Sequence, residues 1–492
     1  MDFIYGEDRE QATLLPDSIE DYVGSNNSVR VIDAYINSLN VIGMGFKNAE
    51  LKETGRPPYD PKDLLKLYVY GYLNKIRSSR RLENETKRNL EVLWLLRRLS
   101  PDHKTIARFR RDNTEALKEV FGSFVKLSVR LGLYGKELIA IDGSKFKAVN
   151  SKARNLTDNK VKNRIECLET HIREYLSELQ RIDEEEDTVE GERTAEEIAA
   201  IVKELKGKKE RYQGYADEFA RTGETQKSFT DTESRLMLAN GKMDVCYNVQ
   251  TTVDAKNKLI VDFKVTNQGN DLNFITPMAV SSKENLEVDK ITAVTDAGYD
   301  SIHDIRLAMS QGIDVHVAGT NYDICIPETS VEQVKISTHK NGRCVYIAER
   351  NIVLCPMGQV LYPGYYNKGK EKRGVFYNRQ ACRECECKCV KNPDGRCQYY
   401  VSMKEEDFSK EYNDEGFMVK QQRIKADKAI VQQRKSIVEH PFGTVKRAMD
   451  AGYCLTKGIK NVTGEFSLAF LAYNIKRAIN ILGCRKLIES MS

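Results

Sequence analysis

The sequence predicts a mixed α/β core, preceded by a helical module and interrupted by two inserts. Three observations carry that expectation. From residue 137 onward, short apolar strands recur between helical patterns. Before that, residues 59–130 show helical spacing only. Two stretches, 155–222 and 320–415, break the strand–helix rhythm as insertions would.

The elements follow in order. PPYDPKDLLKLYVYGYL opens on Asp60 and Pro61, a cap and a first-turn residue, and continues with apolar residues at helical spacing. RRLENETKRNLEVLWLLRRL and then SPDHKTIARFRRDNTEALKEVFGSFVKLSVRLGL, starting at Ser100-Pro101, complete an all-helical module. ELIAIDGSKFKAV (137–149) is a short strand that ends on an acid. Residues 155–222 are charge-rich with apolar residues every three or four, which suits two long helices folded back near Glu190-Gly191. MDVCYNVQTTVDAKNKLIVDFKVTN alternates apolar and polar residues across two strands turned at Asp254–Asn257. A helix (NDLNFITPMAVSSKENL), a strand (KITAVTDAGYD), a helix (SIHDIRLAMSQG) and a strand (IDVHVAG) come next. Residues 320–415, rich in Tyr and Cys, read as a β-containing insert. ADKAIVQQRKSIVEHPFGTVKRAMDAG and GEFSLAFLAYNIKRAINIL are the closing helices.

At 492 residues the chain has room for several folded units. Its 30% charged and 40% hydrophobic residues, with a mean hydropathy of −0.53, fit a water-soluble globular protein. No apolar run reaches about 18 residues, which argues against an integral membrane protein. The acidic start MDFIYGEDREQ has no signal-peptide pattern, so a cytoplasmic protein is expected. Twelve cysteines in such a chain suit a reducing compartment, with thiols free for metal.

The net charge of +5 conceals an uneven distribution. Residues 47–130 hold about 20 Lys and Arg against about 11 acids, and residues 420–487 about 14 against about 4. Two basic blocks flanking an acidic middle suit a polyanion such as double-stranded DNA, whose counterions binding would release. Arg80, Arg81, Arg108, Arg110 and Arg111, on short helices ending in basic turns, are the residues a helix-turn-helix reader would offer a groove. Arg434, Lys435, Lys446 and Arg447 supply the second block. Solvated helix surface explains the charge alone equally well.

Three acids are the candidate chemistry. Asp142 and Asp296 each end a hydrophobic strand (IAID, AVTD), where ligands of open α/β sheets gather. Glu439 lies in the basic closing helix. Three carboxylates in one cleft repel one another and call for cations. Hard oxygen donors suit Mg²⁺ or Mn²⁺, and two such ions about 3.5–4 Å apart support phosphoryl displacement. Any one of these acids by itself is more simply a cap or turn residue.

The order IAIDGSK, AVTDAGYDS, RKSIVEHPFGTVKR resembles the DDE transposases of bacterial insertion sequences. GRPPYDPKDLLKLYVYGYL with LSPDHKTIARFRR resembles the helical N-terminal region of that group, and FTDTESRLM with YNVQTTVDAKNKLIV the segment leading into its central strands. The resemblance implies a ribonuclease H-like core in which Asp142, Asp296 and Glu439 form the metal-binding triad. It also implies cleavage at transposon ends followed by 3′-hydroxyl strand transfer into target DNA. The group often shows Tyr-Arg-Glu-Lys around the glutamate. Lys446 stands in place, seven residues after Glu439, and the resemblance makes it a DNA-phosphate contact. Gln432 and Lys435 replace the Tyr and Arg, with Arg434 one residue away, so the end contacts of this helix depart from the pattern. His440 reads as a packing or phosphate-contact residue, because metal-activated water needs no separate base.

Cys355-Pro-Met-Gly and ACRECECKCVKNPDGRC provide a CxxC pair with further cysteines, a pattern that suits tetrahedral Zn²⁺. Cys355, Cys382 and Cys385 are the first choices, with Cys389 or Cys397 as the fourth ligand. Similar inserts occur in one branch of the DDE transposases. Free thiols in a small β-insert are the alternative.

The expected organisation is an N-terminal arm (1–46), a helical DNA-binding domain (47–134), a catalytic core (135–154, 223–320 and 420–455), a helical-hairpin insertion (155–222), a Cys-rich insert with a zinc site (321–419) and a C-terminal helix (456–492). Two transposon ends must meet, so a homodimer on DNA is expected, although a hairpin packed only within its own chain explains 155–222 as well. A metal-dependent nuclease of the same fold, a catalytically idle DNA-binding derivative and a zinc-dependent regulator are the competing functions.

Overall fold

Apolar residues at helical spacing in the first 130 positions bury themselves against a helix from the far end of the chain. The computed structural model describes residues 18–50, 57–184, 195–239, 241–318, 334–339, 342–355, 359–368, 372–384, 398–412 and 428–491. It divides into two compact units: unit 1 is Met1–Ile291 with Ser436–Ser492, and unit 2 is Thr292–Lys435.

Among the described residues, unit 1 opens on a 3₁₀ turn (Ile19–Tyr22) and six α-helices: α1 (Ser28–Asn37), α2 (Pro61–Leu73), α3 (Ser79–Arg88), α4 (Leu90–Leu95), α5 (His103–Asp112) and α6 (Thr114–Arg130). Local chemistry starts them. Asp60 caps α2 by accepting from Lys62 N at 2.8 Å, with Pro61 in the first turn, where its missing N–H costs nothing. Asp102 caps α5 through Lys104 N and Thr105 N. The segment expected as an N-terminal arm is folded from residue 18. Val29, Val31, Ile32, Tyr35 and Ile36 of α1 are buried, and Tyr35 donates to Val120 O at 2.7 Å. The binary pattern of α1 gives it a face to bury, and α6 receives it, with Tyr35 edge-on to Phe124.

The sheet of unit 1 is antiparallel. Strand β1 (Leu138–Lys147) pairs one side of the long β5 (Lys242–Asp254); β4 (Arg235–Ala239) and β6 (Ile260–Thr266) also pair β5. The register sets Asp142 opposite Thr251 and Gly143 opposite Gln250. Asp254 fixes the turn after β5 by accepting from Lys256 N, and it also gathers Gly135 N and Lys136 N. Helix α9 (Ile275–Leu286) follows β6.

Between β1 and β4 the chain leaves through β2 (Asn155–Thr157) and returns through β3 (Gln226–Ser228), which pair antiparallel. Beyond them α7 (Asp158–Glu184) and α8 (Ala195–Thr222) pack on each other through Ile172, Ile198 and Val202. Lys209 and Glu169 bridge the two helices at 2.9 Å. The stretch around Glu190-Gly191, expected as the reversal, lies outside the described residues.

The expected C-terminal addition is the centre of unit 1. In its last long helix (Ile459–Leu482), every residue from Gly464 to Ile475 is buried. A helix apolar all round belongs inside a core rather than on its surface. Phe466 meets Phe146 of β1 (4.6 Å between ring centroids), Phe470 meets Phe263 of β6 (5.0 Å), and Phe121 of α6 meets Phe263 (5.3 Å). A Cβ on Gly464 would lie 2.9 Å from Thr114 Cγ2, so glycine allows the close crossing with α6. The expected border between a helical domain and a catalytic core at residues 134–135 therefore falls inside one packed unit.

Unit 2 holds β7 (Ile291–Thr295), whose first residue belongs to unit 1, α10 (Ile302–Ser310) and β8 (Ile313–Val317), with β7 and β8 adjacent in their sheet. Its remaining strands make a six-stranded antiparallel sheet, in spatial order β14-β13-β12-β11-β10-β9. These are β9 (Val334–His339), β10 (Gly342–Ile347), β11 (Ile352–Leu354), β12 (Val360–Asn367), β13 (Arg373–Tyr377) and β14 (Tyr399–Ser402). Its two faces carry separate apolar clusters, one around Phe376 and Tyr346, the other around Val345 and Leu354. Two short helices, α11 (Arg379–Glu384) and α12 (Glu405–Phe408), accompany it. Helix α13 (Lys428–Gly443) starts in unit 2; from Ser436 onward its residues belong to unit 1.

Candidate active site

β1 builds the first part of the site. Its apolar half, Ile139–Ile141, is buried; from Asp142 the side chains become half-buried. Strand alternation sets Asp142, Ser144 and Phe146 on one face and Gly143 and Lys145 on the other. The Asp142 carboxylate accepts from Gly143 N at 3.0 Å, and Thr251 Oγ1 donates to Asp142 O at 3.4 Å.

Residues 436–448 bring the second part. Pro441 lies inside α13 and has no N–H to donate to the carbonyl of Ile437, one turn before it; the chain then widens into a π-turn, Thr444–Ala448. Phe442 packs toward Phe146 (6.2 Å between centroids). Lys446 Nζ donates to Ser144 Oγ at 2.7 Å and to Lys145 O at 3.1 Å, and stands 4.4 Å from the centre of the Phe146 ring. Burial lowers the Lys446 pKa, while Cys246 and the Asp142 carboxylate oppose that shift. Lys446 thus reaches back to β1, two residues beyond Asp142. Glu439 is exposed on α13, which runs into this π-turn. His440 pairs with Tyr473 through Nδ1 at 2.9 Å, and Tyr473 Oη donates to Lys258 O. The ring is tied to the core helix, which is a packing role.

Asp296 belongs to unit 2. It ends β7 and caps the 3₁₀ turn Ala297–Tyr299, accepting from Gly298 N at 2.9 Å. Asp142 and Glu439 lie in unit 1. As hard oxygen donors, all three acids fit Mg²⁺ or Mn²⁺ by chemistry. Among the described residues, no three His, Cys, Asp or Glu side chains are grouped closely enough to hold a metal ion.

The expected DNA-binding residues divide by burial. Arg80 and Arg81 on α3, Arg108 and Arg111 on α5, and Lys435 and Arg447 are exposed, while Arg434 is half-buried. Arg111 pairs with Asp112 at 2.7 Å. Glu83 ties α3 to the start of α5 by accepting from His103 N at 3.0 Å; its pKa is held down to about 2, first by Lys87 and then by His103. Arg110 does not belong with the surface set. It is 8% exposed, within hydrogen-bonding distance of Tyr72 Oη (3.4 Å), and its guanidinium lies 5.4 Å from the Tyr68 ring centroid. Helical periodicity turned it inward, into a socket of tyrosines.

Of the expected zinc ligands, Cys355 and Cys382 are described; Cys385, Cys389 and Cys397 lie outside the described residues. Cys355 N donates to Gln359 O at 3.0 Å, joining the end of β11 to the start of β12. Asn378 Nδ2 donates to Val360 O at 2.9 Å, and Asn378 Oδ1 accepts from Ala381 N in the helix that carries Cys382. Both thiols pack on the Phe376 cluster.

Two family models match the chain. Residues 17–112 match a transposase domain of the DUF772 type, and residues 354–479 match a transposase DDE domain. Both matched regions are transposase domains, the second of the DDE type. The second match covers Glu439 and Lys446, while Asp142 and Asp296 lie outside it. The first covers α1 to α5 and so takes in residues 17–46 of the segment expected as an arm. A cryo-EM structure of a piggyBac transposase synaptic complex with hairpin DNA aligns over 95% of this transposase and 79% of its own chain. The identity is 9% and the TM-score 0.31, too loose an alignment to define a shared fold. No curated protein matches the transposase. No helix among the described residues is long and apolar enough to cross a membrane.

Sequence reasoning did not single out Ser144, the acceptor for Lys446, or Asp271, which lies behind Gly143. A serine after a strand acid and an aspartate in a glycine-containing loop carry no periodic signal. The packing of Thr444–Ala448 on β1 reveals the first, and the pairing of β1 with β5 the second.

Proposed function

We propose that this transposase cuts DNA at the ends of an insertion sequence and joins the freed 3′-hydroxyl to target DNA. The observation that carries the reading is the seating of Lys446 on Ser144, two residues from Asp142, from the π-turn that continues the helix bearing Glu439. That helix lies within the DDE-domain match. The reading takes β6, β5 and β1 as half of a ribonuclease H-like sheet, and Asp142, Asp296 and Glu439 as the residues that would hold two Mg²⁺ or Mn²⁺ ions. Such ions, when bound, activate an attacking oxygen and stabilise the departing one.

The residues of the chain itself orient and neutralise. Lys446 brings a positive charge beside Asp142, where a phosphodiester oxygen gains most from it. In the first reaction, water forms a bond to phosphorus as the bond to the 3′-oxygen breaks, which leaves a 3′-hydroxyl. In the second, that hydroxyl forms a bond to a target phosphorus as a target P–O bond breaks. Arg80, Arg81, Arg108 and Arg111 hold backbone phosphates and set the register of the end. Lys435 and Arg447 add phosphate contacts beside Glu439. Two copies, one for each end, complete the reaction as a homodimer on double-stranded DNA. Cys355 and Cys382, with Cys385 and Cys389 or Cys397, would hold a structural Zn²⁺.

The test uses the full chain, labelled transposon-end DNA, a target plasmid and Mg²⁺. Cleavage and joining are expected, and Asp142→Asn, Asp296→Asn and Glu439→Gln each abolish both with DNA affinity retained. Full activity in any one variant removes that acid from the site. Joining absent from both uncut and pre-cut ends, with cleavage intact, identifies a nuclease; binding without cleavage identifies an idle DNA-binding derivative.

A further inference from the structure

Directly behind the Asp142–Gly143 step lies a polar cluster that the proposed reaction does not use. Asp271 follows β6, directly after the loop residues Gln268–Asn270. Its Oδ1 accepts from Lys145 Nζ at 3.0 Å, Asn248 Nδ2 at 2.7 Å and Gln250 Nε2 at 2.7 Å, and its Oδ2 lies 3.2 Å from Lys145 Nζ. The donors come from two paired strands, Lys145 from β1 and Asn248 and Gln250 from β5. Asn248 Nδ2 also donates to Gln268 O at 3.2 Å, which fastens the loop to the sheet. Asn248 and Gln250 are fully buried. A carboxylate held by an ammonium and two amides in such a place is rigid, because each contact is charge-assisted and screened from water.

The cluster presses on Gly143. A Cβ at that position would lie 2.3 Å from Gln250 Nε2, 2.6 Å from Asp271 Oδ1 and 3.0 Å from Asn248 Oδ1. The glycine that follows Asp142 is therefore required by close approach of side chains, not by its backbone angles. Asp142 in turn rests its carboxylate on Gly143 N. We propose that Asp271 is a positioning residue. By clamping β1 to β5 at Gly143 it holds the peptide on which the Asp142 carboxylate leans, and so fixes that carboxylate for metal. The proposal rests on the transposase reading, in which Asp142 is a ligand.

The comparison is between wild type, Asp271→Asn, Gly143→Ala and Asp142→Asn, each as the full chain. Mn²⁺ affinity is read by electron paramagnetic resonance and end cleavage is followed against Mg²⁺ concentration. Partners of metal ligands commonly change affinity about 10–100-fold when altered. Asp271→Asn is expected to weaken Mn²⁺ binding about tenfold and to raise the Mg²⁺ needed for half-maximal cleavage by a similar factor. Excess metal should restore the rate, and DNA affinity should be unchanged. Gly143→Ala, acting from the other side of the same contact, should do the same. A merely structural role would lower the melting temperature with no shift in metal requirement. Wild-type metal affinity in folded Asp271→Asn overturns the proposal. If that variant does not fold, Lys145→Gln decides in its place: weakened Mn²⁺ binding supports the clamp and unchanged binding overturns it. Asp142→Asn separates the two layers, because wild-type cleavage there refutes the transposase reading itself. A dead Asp142→Asn beside an unaffected Asp271→Asn refutes the clamp alone.

Discussion

Arg77 Nη1 lies 3.1 Å from Glu465 Oε1, and the two side chains are 4% and 3% exposed although 388 residues separate them in sequence. Glu465 also accepts from Leu455 N, Thr456 N and Thr456 Oγ1, while Arg77 donates to Tyr453 O and lies over the Tyr453 ring. The pair fastens the turn between α2 and α3 to the core helix and to the segment that follows Lys446. Cys454 N, in that segment, donates to Lys147 O at the end of β1.

Removing one partner leaves the other charge buried. Arg77→Met and Glu465→Gln should each cost about 3–5 kcal/mol in chemical denaturation. The double variant should lose less than the sum of the two, because the stranded charge is gone. Additive losses would show that the pair is not coupled.

The salt dependence of DNA binding separates the arginines. Each phosphate contact contributes about 0.9 to the slope of log affinity against log salt. Arg80→Ala with Arg81→Ala should reduce the slope by about 1–2 and leave stability within about 0.5 kcal/mol. Arg110→Met should leave the slope unchanged and lower stability, because its guanidinium is enclosed by Tyr68 and Tyr72. Titration of end DNA at several salt concentrations checks both.

His440 should respond to pH. Burial first, then the positive charges of Arg477 and Lys258, lower its pKa from the ordinary 6.5. Between the folded and unfolded values the unfolded chain binds more protons, so this contribution to stability is intact above pH 6.5 and is lost as pH falls below it. An NMR titration should show the His440 midpoint below 6.5 and a rise toward it in Arg477→Gln. On acidification from pH 7.5 to about 5.5, wild type should lose more stability than His440→Gln.

The hairpin has a small core of its own, so damage there should stay local. Ile198 is fully buried between α7 and α8. Ile198→Ala should cost about 2–5 kcal/mol of hairpin stability. Hydrogen exchange should quicken in residues 158–222 and stay unchanged in β1 and β5. Uniform acceleration throughout unit 1 would show that the hairpin opens with the rest.

Much of this molecule was legible as pattern. Alternation in residues 243–266 announced β5 and β6, and Asp60-Pro61 announced the start of α2, because caps and periodicity act within a few residues. Lys446 stood out through resemblance to the Tyr-Arg-Glu-Lys pattern of the DDE transposases. Where it sends its ammonium did not: a lysine on a basic helix reads as solvated until β1 is seen to offer Ser144 Oγ. Arg110 failed for the same reason, since one helical turn holds both Arg108 and Arg110 and only packing says which faces inward.

The order of strands and helices, the three acids and the two basic blocks were determined by the sequence alone, because they depend on neighbours in the chain. Tertiary structure decided that the last long helix is the core of unit 1, that residues 28–37 belong to it, and that Asp271 stands behind Gly143. Those facts depend on burial and on contacts between residues 85 or more positions apart. A polar side chain in a loop gives no local sign of the strand it will clamp.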